Sequence, residues 1–95
     1  MSKTIRRLSE KDGRVYVYLA NTDIGEKFLQ QAEQEGFTFG DGAKPTDRHY
    51  SEIMAINHNL SINYVGYVGR MAYGSGTQTI GKERLIRIDY RKYMS

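Results

Sequence analysis

The sequence of 95 residues contains no cysteine, no tryptophan and a single proline. The lack of cysteine excludes disulfides, thiolate metal sites and cysteine nucleophiles, and it agrees with a reducing compartment. No apolar run approaches the roughly 20 residues of a membrane-spanning helix. Residues 1–7 have no apolar segment behind their charges that could act as a signal peptide. We therefore expect a cytoplasmic protein with no membrane partner.

Length and composition are those of one small folded domain. Hydrophobic residues make up 39% of the chain and charged residues 26%, which is ordinary for a globular protein. A chain this short has room for one domain, and it buries only roughly 60–65% of the surface that its unfolded state exposes. Because the core is modest, we expect association into a homo-oligomer to add stability.

The charge of +3 is distributed unevenly along the chain. Residues 1–18 hold five basic and two acidic side chains, residues 19–69 hold three and seven, and residues 70–95 hold six and two. If the first and last strands are neighbours, the basic ends would form one positive field that attracts anionic partners. The alternative is a basic edge that only prevents aggregation. The basic residues concerned are Arg6, Arg7, Arg14, Arg84, Arg87, Arg91 and Lys92.

The first half of the chain predicts a strand, a helix and a second strand after a loose basic N-terminal arm over residues 1–13. Residues 14–20 alternate Val15, Val17 and Leu19 with two tyrosines, as a strand does. Asn21 or Thr22 can cap a helix that continues to Gly36, where glycine accepts the left-handed conformation of a helix end. Residues 37–39 then resume an extended pattern.

The second half predicts further strands. Residues 40–47 form a loop, and residues 48–57 fit either a helix or a strand; we favour a strand because His58 and Asn59 separate two apolar runs as a hairpin turn would. That spacing places Ile53 and Ala55 opposite Tyr64 and Ile62. Residues 66–73 predict a bend and a short helical turn, 74–81 a loop, and 85–90 a last strand. We expect one α+β domain over residues 1–95, with one principal helix on a mixed, mostly antiparallel sheet of about four to five strands.

No pattern for catalysis or metal binding is convincing. Residues 76–82 match the spacing GxxxxGK of a phosphate-binding loop, but Glu83 stands where the magnesium-binding Ser or Thr belongs, and a strand rather than a helix follows. His49 and His58 lie apart and lack the clustered ligands of a zinc or iron site. His49 could serve as an acid or base, although a solvated loop histidine explains it better. We expect no enzyme, no metal and no cofactor.

Tyrosine and arginine are the most informative residues. The eight tyrosines exceed what so small a core needs, and their rings can stack on nucleobases while arginine binds phosphate. The same residue types dominate protein interfaces, and half of the tyrosines could simply be core residues. The predicted ligand-binding residues are Tyr64, Tyr67, Arg70, Tyr73, Arg84, Arg87 and Arg91, which we expect to meet on one surface supported by the sheet.

The segment 27–42, together with 44–46 and 63–69, resembles small uncharacterised proteins encoded by phages and prophages of Gram-positive bacteria. The resemblance covers most of the chain after residue 13 and brings no catalytic motif. It implies a non-enzymatic accessory protein in the host cell cytoplasm that counteracts antiviral defence, either by sequestering an anionic nucleotide-type signal or by blocking a host defence protein. The alternatives are a nucleic-acid-binding regulatory protein and a small enzyme of unknown chemistry.

Overall fold

The computed structural model describes residues 3–95, and residues 1 and 2 lie outside the described part of the chain. The described chain forms helices, strands and one turn of 3₁₀ helix in an α+β arrangement. In chain order they are α1 (Ile5–Ser9), β1 (Arg14–Tyr18), α2 (Thr22–Gln34), β2 (Thr38–Phe39), the 3₁₀ turn (Pro45–Asp47), β3 (Ile53–Ile56), β4 (Ser61–Tyr64), α3 (Tyr67–Gly74), β5 (Thr79–Ile80), β6 (Glu83–Asp89) and α4 (Tyr90–Met94).

The strands form one mixed sheet of six in the order β2-β4-β3-β1-β6-β5. The pairs β1/β3, β3/β4 and β5/β6 are antiparallel, whereas β1/β6 and β2/β4 are parallel. The helix-on-sheet class is therefore confirmed. The predicted strand count and the single principal helix are wrong, because two-residue edge strands and helices of five to eight residues leave little periodic signal in a sequence.

The two faces of the sheet carry separate hydrophobic clusters. The larger cluster lies between the sheet and α1, α2 and α4, and it contains Phe28, Val17, Met54 and Ile62, none with any exposed surface. The smaller cluster lies on the opposite face under α3 and is built around Tyr16, Ile53, Ala55, Val65 and Leu85. Alternation along β1 sends Val15 and Val17 to one cluster and Tyr16 to the other.

Helix α2 begins and ends as its sequence predicts. The Asn21 side chain accepts a hydrogen bond from the Ile24 amide at 2.9 Å, which caps the helix. At the other end Gly36 adopts φ 90°, and the Phe37 amide returns to the Ala32 carbonyl at 2.9 Å. This is the Schellman arrangement, and it places Phe37 back in the core.

The prediction of a loose N-terminal arm is wrong for the residues that the structure describes. Residues 5–9 form α1, in which Ile5 and Leu8 are fully buried. The carboxylate of Glu35, at the end of α2, accepts hydrogen bonds from the Ile5 and Arg6 amides at 2.9 and 2.8 Å. A helix with two apolar residues is invisible to periodicity, and it is stable here because it packs on the core and because a distant carboxylate caps it.

The β3–β4 hairpin forms as predicted, but its register differs by one residue. Ile56 pairs with Ile62 and Met54 with Tyr64. The connection gains Leu60, which adopts φ 62° in the left-handed region and directs its side chain into the larger cluster. A shift of one residue exchanges the two faces of a strand. Tyr64 therefore shares a face with Met54 and packs on Phe39 with ring centroids 5.4 Å apart, on the α2 side of the sheet.

The last strand ends one residue earlier than predicted. The Asp89 side chain accepts a bond from the Lys92 amide at 3.4 Å and begins α4 at Tyr90. Tyr90 then packs edge-on against Phe28, with ring centroids 5.2 Å apart, and its hydroxyl donates to Gln31 Oε1 at 2.6 Å. Helix α4 thus closes the larger cluster beside α2.

Candidate functional site

The candidate site is a cavity of about 600 Å³ between α3 and the sheet, which we call the α3 cavity. Its walls come from the end of β1, the start of β3, the segment after β4 and helix α3. The volume lies within the range of pockets that hold small organic ligands. The lining residues are Tyr18, Glu52, Ile53, Val65, Tyr67, Arg70, Met71, Tyr73 and Gly74.

Helix α3 comes close to the sheet because it carries glycine where it crosses β1. A Cβ atom at Gly69 would lie 2.5 Å from Val65 Cγ1 and 3.2 Å from the Tyr16 hydroxyl oxygen. A side chain at this position would displace Val65 and the end of the Tyr16 side chain, both of which belong to the smaller cluster. Ala72 and Tyr73 pack against the smaller cluster on the same side of the helix. The two glycines three residues apart, at 66 and 69, thus mark the helix start and its closest approach to the sheet.

Arg87 holds the C-terminal end of α3 from below. Its Nε donates to the Tyr73 carbonyl at 2.9 Å, and its Nη2 donates to the carbonyls of Ala72 and Thr77 at 2.8 and 2.6 Å. The last carbonyls of a helix lack partners within the helix, so these bonds satisfy groups that would otherwise need water. The guanidinium also lies 5.5 Å from the centroid of the Tyr73 ring. Arg87 therefore fixes both the helix end and one wall of the α3 cavity.

Tyrosine rings form the base of the α3 cavity. Tyr18 and Tyr73 stack with centroids 6.4 Å apart and an interplanar angle of 28°. Burial raises the pKa of Tyr73, and the nearby Asp89 carboxylate raises it further, although the Arg87 charge opposes them. The hydroxyl of Tyr73 is therefore protonated at neutral pH and can donate a hydrogen bond.

Two opposite charges line the α3 cavity without pairing. Within residues 3–95, neither the Arg70 guanidinium nor the Glu52 carboxylate has a salt bridge or a side-chain hydrogen bond. Both side chains belong to exposed residues. An arginine offers planar donors to an anion, and an ionised carboxylate only accepts hydrogen bonds. The two charges are therefore available to a ligand that presents complementary groups.

Helix α3 leaves an unusual amount of apolar surface in solvent. None of its eight residues is buried. Tyr67 is 77% exposed and Met71 57%, and both line the α3 cavity. Val68 is 79% exposed but does not line it. Large apolar side chains that remain exposed beside a cavity are a common mark of a binding surface.

The structure brings some of the predicted ligand-binding residues together and separates others. Tyr67, Arg70 and Tyr73 line the α3 cavity, and Arg87 lies directly behind Tyr73. Tyr64 lies on the α2 side of the sheet, where its hydroxyl donates to the His49 carbonyl at 2.7 Å. The Leu85 side chain points to the α3 side of the sheet. Because neighbouring residues of a strand face opposite sides, the exposed Arg84 lies on the α2 side. Arg91 lies on α4 beside α2. These seven residues therefore do not share one surface.

Six residues that line the α3 cavity are outside the predicted set. Three of them, Tyr18, Glu52 and Met71, bring an aromatic ring, a charge or a long apolar side chain to the cavity, and the others are Ile53, Val65 and Gly74. The alternation in β1 already places Tyr18 on the face opposite Val17, so it could have been grouped with α3 once a helix was expected there. Glu52 lies in an irregular segment before β3, and no local pattern indicates where it points.

The two basic ends are neighbours, which is the condition stated above for one positive field, because β1 and β6 pair in parallel. Their charges nevertheless serve separate purposes. Arg14 forms a salt bridge with Glu83 at 2.6 Å, and Arg6 Nε donates to the Glu35 carbonyl at 3.1 Å. With Arg87 bonded to α3, three of the arginines from the two ends are therefore engaged in contacts within the fold.

The remaining motifs have structural explanations. The GxxxxGK segment contains β5 and the turn to β6, with Thr79 paired to Arg84, so no helix follows the loop. His58 Nδ1 contacts the Ser9 carbonyl. Residues 3–95 hold no group of three or more His, Cys, Asp or Glu side chains that could bind a metal. Over the same residues, no helix is long and apolar enough to cross a membrane.

Comparisons with protein-family models, with curated proteins and with solved structures found no match to this chain.

Proposed function

We propose that this protein is a non-enzymatic binding protein that takes up a nucleotide-type ligand in the α3 cavity. The observation that carries the proposal is the set of groups around one cavity of about 600 Å³: three tyrosines, together with an arginine and a carboxylate whose charged groups have no partner in the described part of the chain. Aromatic rings stack on nucleobases, and arginine binds phosphate through two parallel hydrogen bonds. Both interactions suit a ligand with a flat base at one end and a phosphate at the other.

The exposure of Tyr67 and Met71 supports the same proposal. Both side chains line the cavity and are largely exposed, so a base bound there would cover them. Each base–aromatic contact contributes about 1–3 kcal/mol in proteins that bind single strands. The fold alone leaves this apolar surface exposed to water. A bound ligand that covers it would gain binding free energy from its burial.

The biological setting is proposed from the resemblance to phage and prophage proteins alone. In that setting the protein counteracts host antiviral defence by sequestering a nucleotide signal in the host cytoplasm. Sequestration requires stoichiometric uptake and release of an unmodified ligand, whereas an enzyme would release product.

A nucleic-acid-binding regulatory protein is the second candidate, favoured by the basic charge of both chain ends. The two candidates differ in their response to salt. Binding to a polyanion loses affinity linearly in log salt with a slope of several units, because each contacted phosphate releases counterions. A small ligand held by Arg70 alone has no condensed counterions to release, so its affinity should depend on salt much less steeply.

The test is isothermal titration calorimetry with a panel of nucleosides, nucleotides and short oligonucleotides, followed by native mass spectrometry of the complex. We expect one class of mononucleotide to bind with 1:1 stoichiometry per chain and to be recovered unchanged. Arg70→Gln should weaken that binding at least about tenfold, the loss expected for one charge-assisted contact.

Arg84→Gln is the matched control, because Arg84 is also an exposed arginine and lies outside the cavity lining. The Arg84→Gln variant should bind the ligand with the affinity of the unaltered protein, and both variants should melt at the same temperature as the unaltered protein. Equal affinity in the Arg70 and Arg84 variants, or no binding by any member of the panel, would remove the α3 cavity as the site.

A further inference from the structure

We infer that the α3 cavity selects a ligand with a single phosphate group over the corresponding triphosphate, with Glu52 as the residue that sets this preference. The inference rests on the proposed function, and it goes beyond it by assigning a ligand class and a specificity residue.

The charges at the cavity balance. Arg70 and Glu52 line it with one charge each. Of the charges just behind the wall, Arg87 is bonded to three carbonyl oxygens, and the Asp89 carboxylate is close enough to raise the pKa of Tyr73. Clefts that bind polyphosphates usually gather several cations, helix N-termini or metal ions. The charges of Arg87 and Asp89 behind the wall offset each other. Among residues 3–95, Arg70 is the only cationic residue that lines the cavity, and Glu52 lines it with the opposite charge, so the lining offers a partner for one phosphate and opposes the larger charge of a triphosphate.

Glu52 has a favourable role as well as a repulsive one. Its carboxylate has no partner within residues 3–95, and an ionised carboxylate can only accept hydrogen bonds. A ligand whose phosphate binds Arg70 can therefore gain a further hydrogen bond if it presents a donor, such as a ribose hydroxyl or a base amino group, toward Glu52. Carboxylates bind ribose hydroxyls in this way in dinucleotide sites. A second or third phosphate in place of that donor would set like charges against each other.

Titration calorimetry with adenosine, AMP, ADP and ATP, in buffer without magnesium, tests the inference on the full chain. We expect AMP to bind at least about tenfold more tightly than ATP, the factor that one opposing charge at partial solvent screening produces. Adenosine should bind more weakly than AMP because it lacks the group that Arg70 binds. Glu52→Gln removes the charge with little change of shape, so it should narrow the AMP-to-ATP ratio to about threefold or less.

A matched substitution, Glu26→Gln, changes an exposed carboxylate on α2, on the other side of the sheet, and should leave the ratio unchanged. If ATP binds the unaltered protein as tightly as AMP, or if Glu52→Gln leaves the ratio as it was, the selectivity inference is wrong while the proposed function stands. If none of these four compounds binds but a nucleotide with another base does, the monophosphate and triphosphate of that base decide the same question. If the whole panel fails, the proposed function itself is wrong.

Discussion

Arg87 offers the sharpest test of how the site is built. The residue was predicted to contact a ligand, but its guanidinium donates to the carbonyls of Ala72, Tyr73 and Thr77 at 2.6 to 2.9 Å. It thereby ties α3 and the loop after it to the central sheet. Arg87→Met keeps most of the aliphatic stem and removes all of the donors, so the substitution isolates these bonds.

The magnitude follows from three hydrogen bonds with a charged donor. Such bonds contribute about 1.5–3 kcal/mol each. Because the Arg87 side chain is partly exposed, solvent screens the bonds, and the three together contribute less than the sum of three separate bonds. We expect a loss of about 2–3 kcal/mol in the free energy of unfolding. For a domain of this size that loss lowers the melting temperature by about 10–20 °C.

The measurements are urea unfolding followed by circular dichroism and hydrogen exchange followed by mass spectrometry. In the Arg87→Met variant, the amides of residues 67–77 should exchange faster than those of β1 and β3, because the carbonyl anchors of α3 are lost. Arg84→Met is the control, since it removes an exposed arginine three residues away on the other face, and its effect should stay within about 0.5 kcal/mol. If Arg87→Met is as stable as that control, with α3 equally protected, Arg87 does not position the helix.

Three further predictions concern the frame that carries the site. A Cβ at Gly25 would lie 2.2 Å from Cγ of the Tyr50 ring, so Gly25→Ala should lower the free energy of unfolding by about 1–2 kcal/mol in thermal unfolding. In a Tyr50→Ala background the same substitution should raise the free energy of unfolding by up to about 1 kcal/mol, because alanine favours the helix more than glycine does. A gain in both backgrounds would contradict the proposed clash. Burial raises the pKa of Tyr90 to about 12 from its ordinary value of 10, so between these pH values only the unfolded state loses the proton, and the free energy of unfolding should fall as pH rises from 10 to 12. Urea titrations of Tyr90→Phe should show a shallower fall over this range, and the same pH dependence in the variant and the unaltered protein would refute the prediction. Glu35→Ala removes the carboxylate that caps α1 and should cost about 1 kcal/mol, with faster exchange confined to residues 5–9; unchanged exchange there would show that Thr4 alone caps the helix.

The sequence by itself determined the elements whose signals are local. Helix α2 is specified by the Asn21 cap, its apolar spacing and Gly36, and all of these act within a few residues of the backbone that they shape. Strand β1 follows from its alternation, and the presence of the β3–β4 hairpin from the polar break between two apolar runs. For the same reason Tyr67, Arg70 and Tyr73 could be grouped in advance, since all three lie within about two helical turns of one another in a single short segment.

Only the tertiary structure decided the rest. The left-handed conformation of Leu60 shifted the hairpin by one residue and moved Tyr64 to the far face, an outcome governed by how Leu60 packs in the core. Arg87 became a support for α3 because β6 lies beneath that helix, and Glu52 joined the cavity because β3 begins beside the end of β1. Which side chains meet across long stretches of chain, such as Tyr18 and Tyr73, depends on strand order and helix placement, and these are fixed by burial of the whole core.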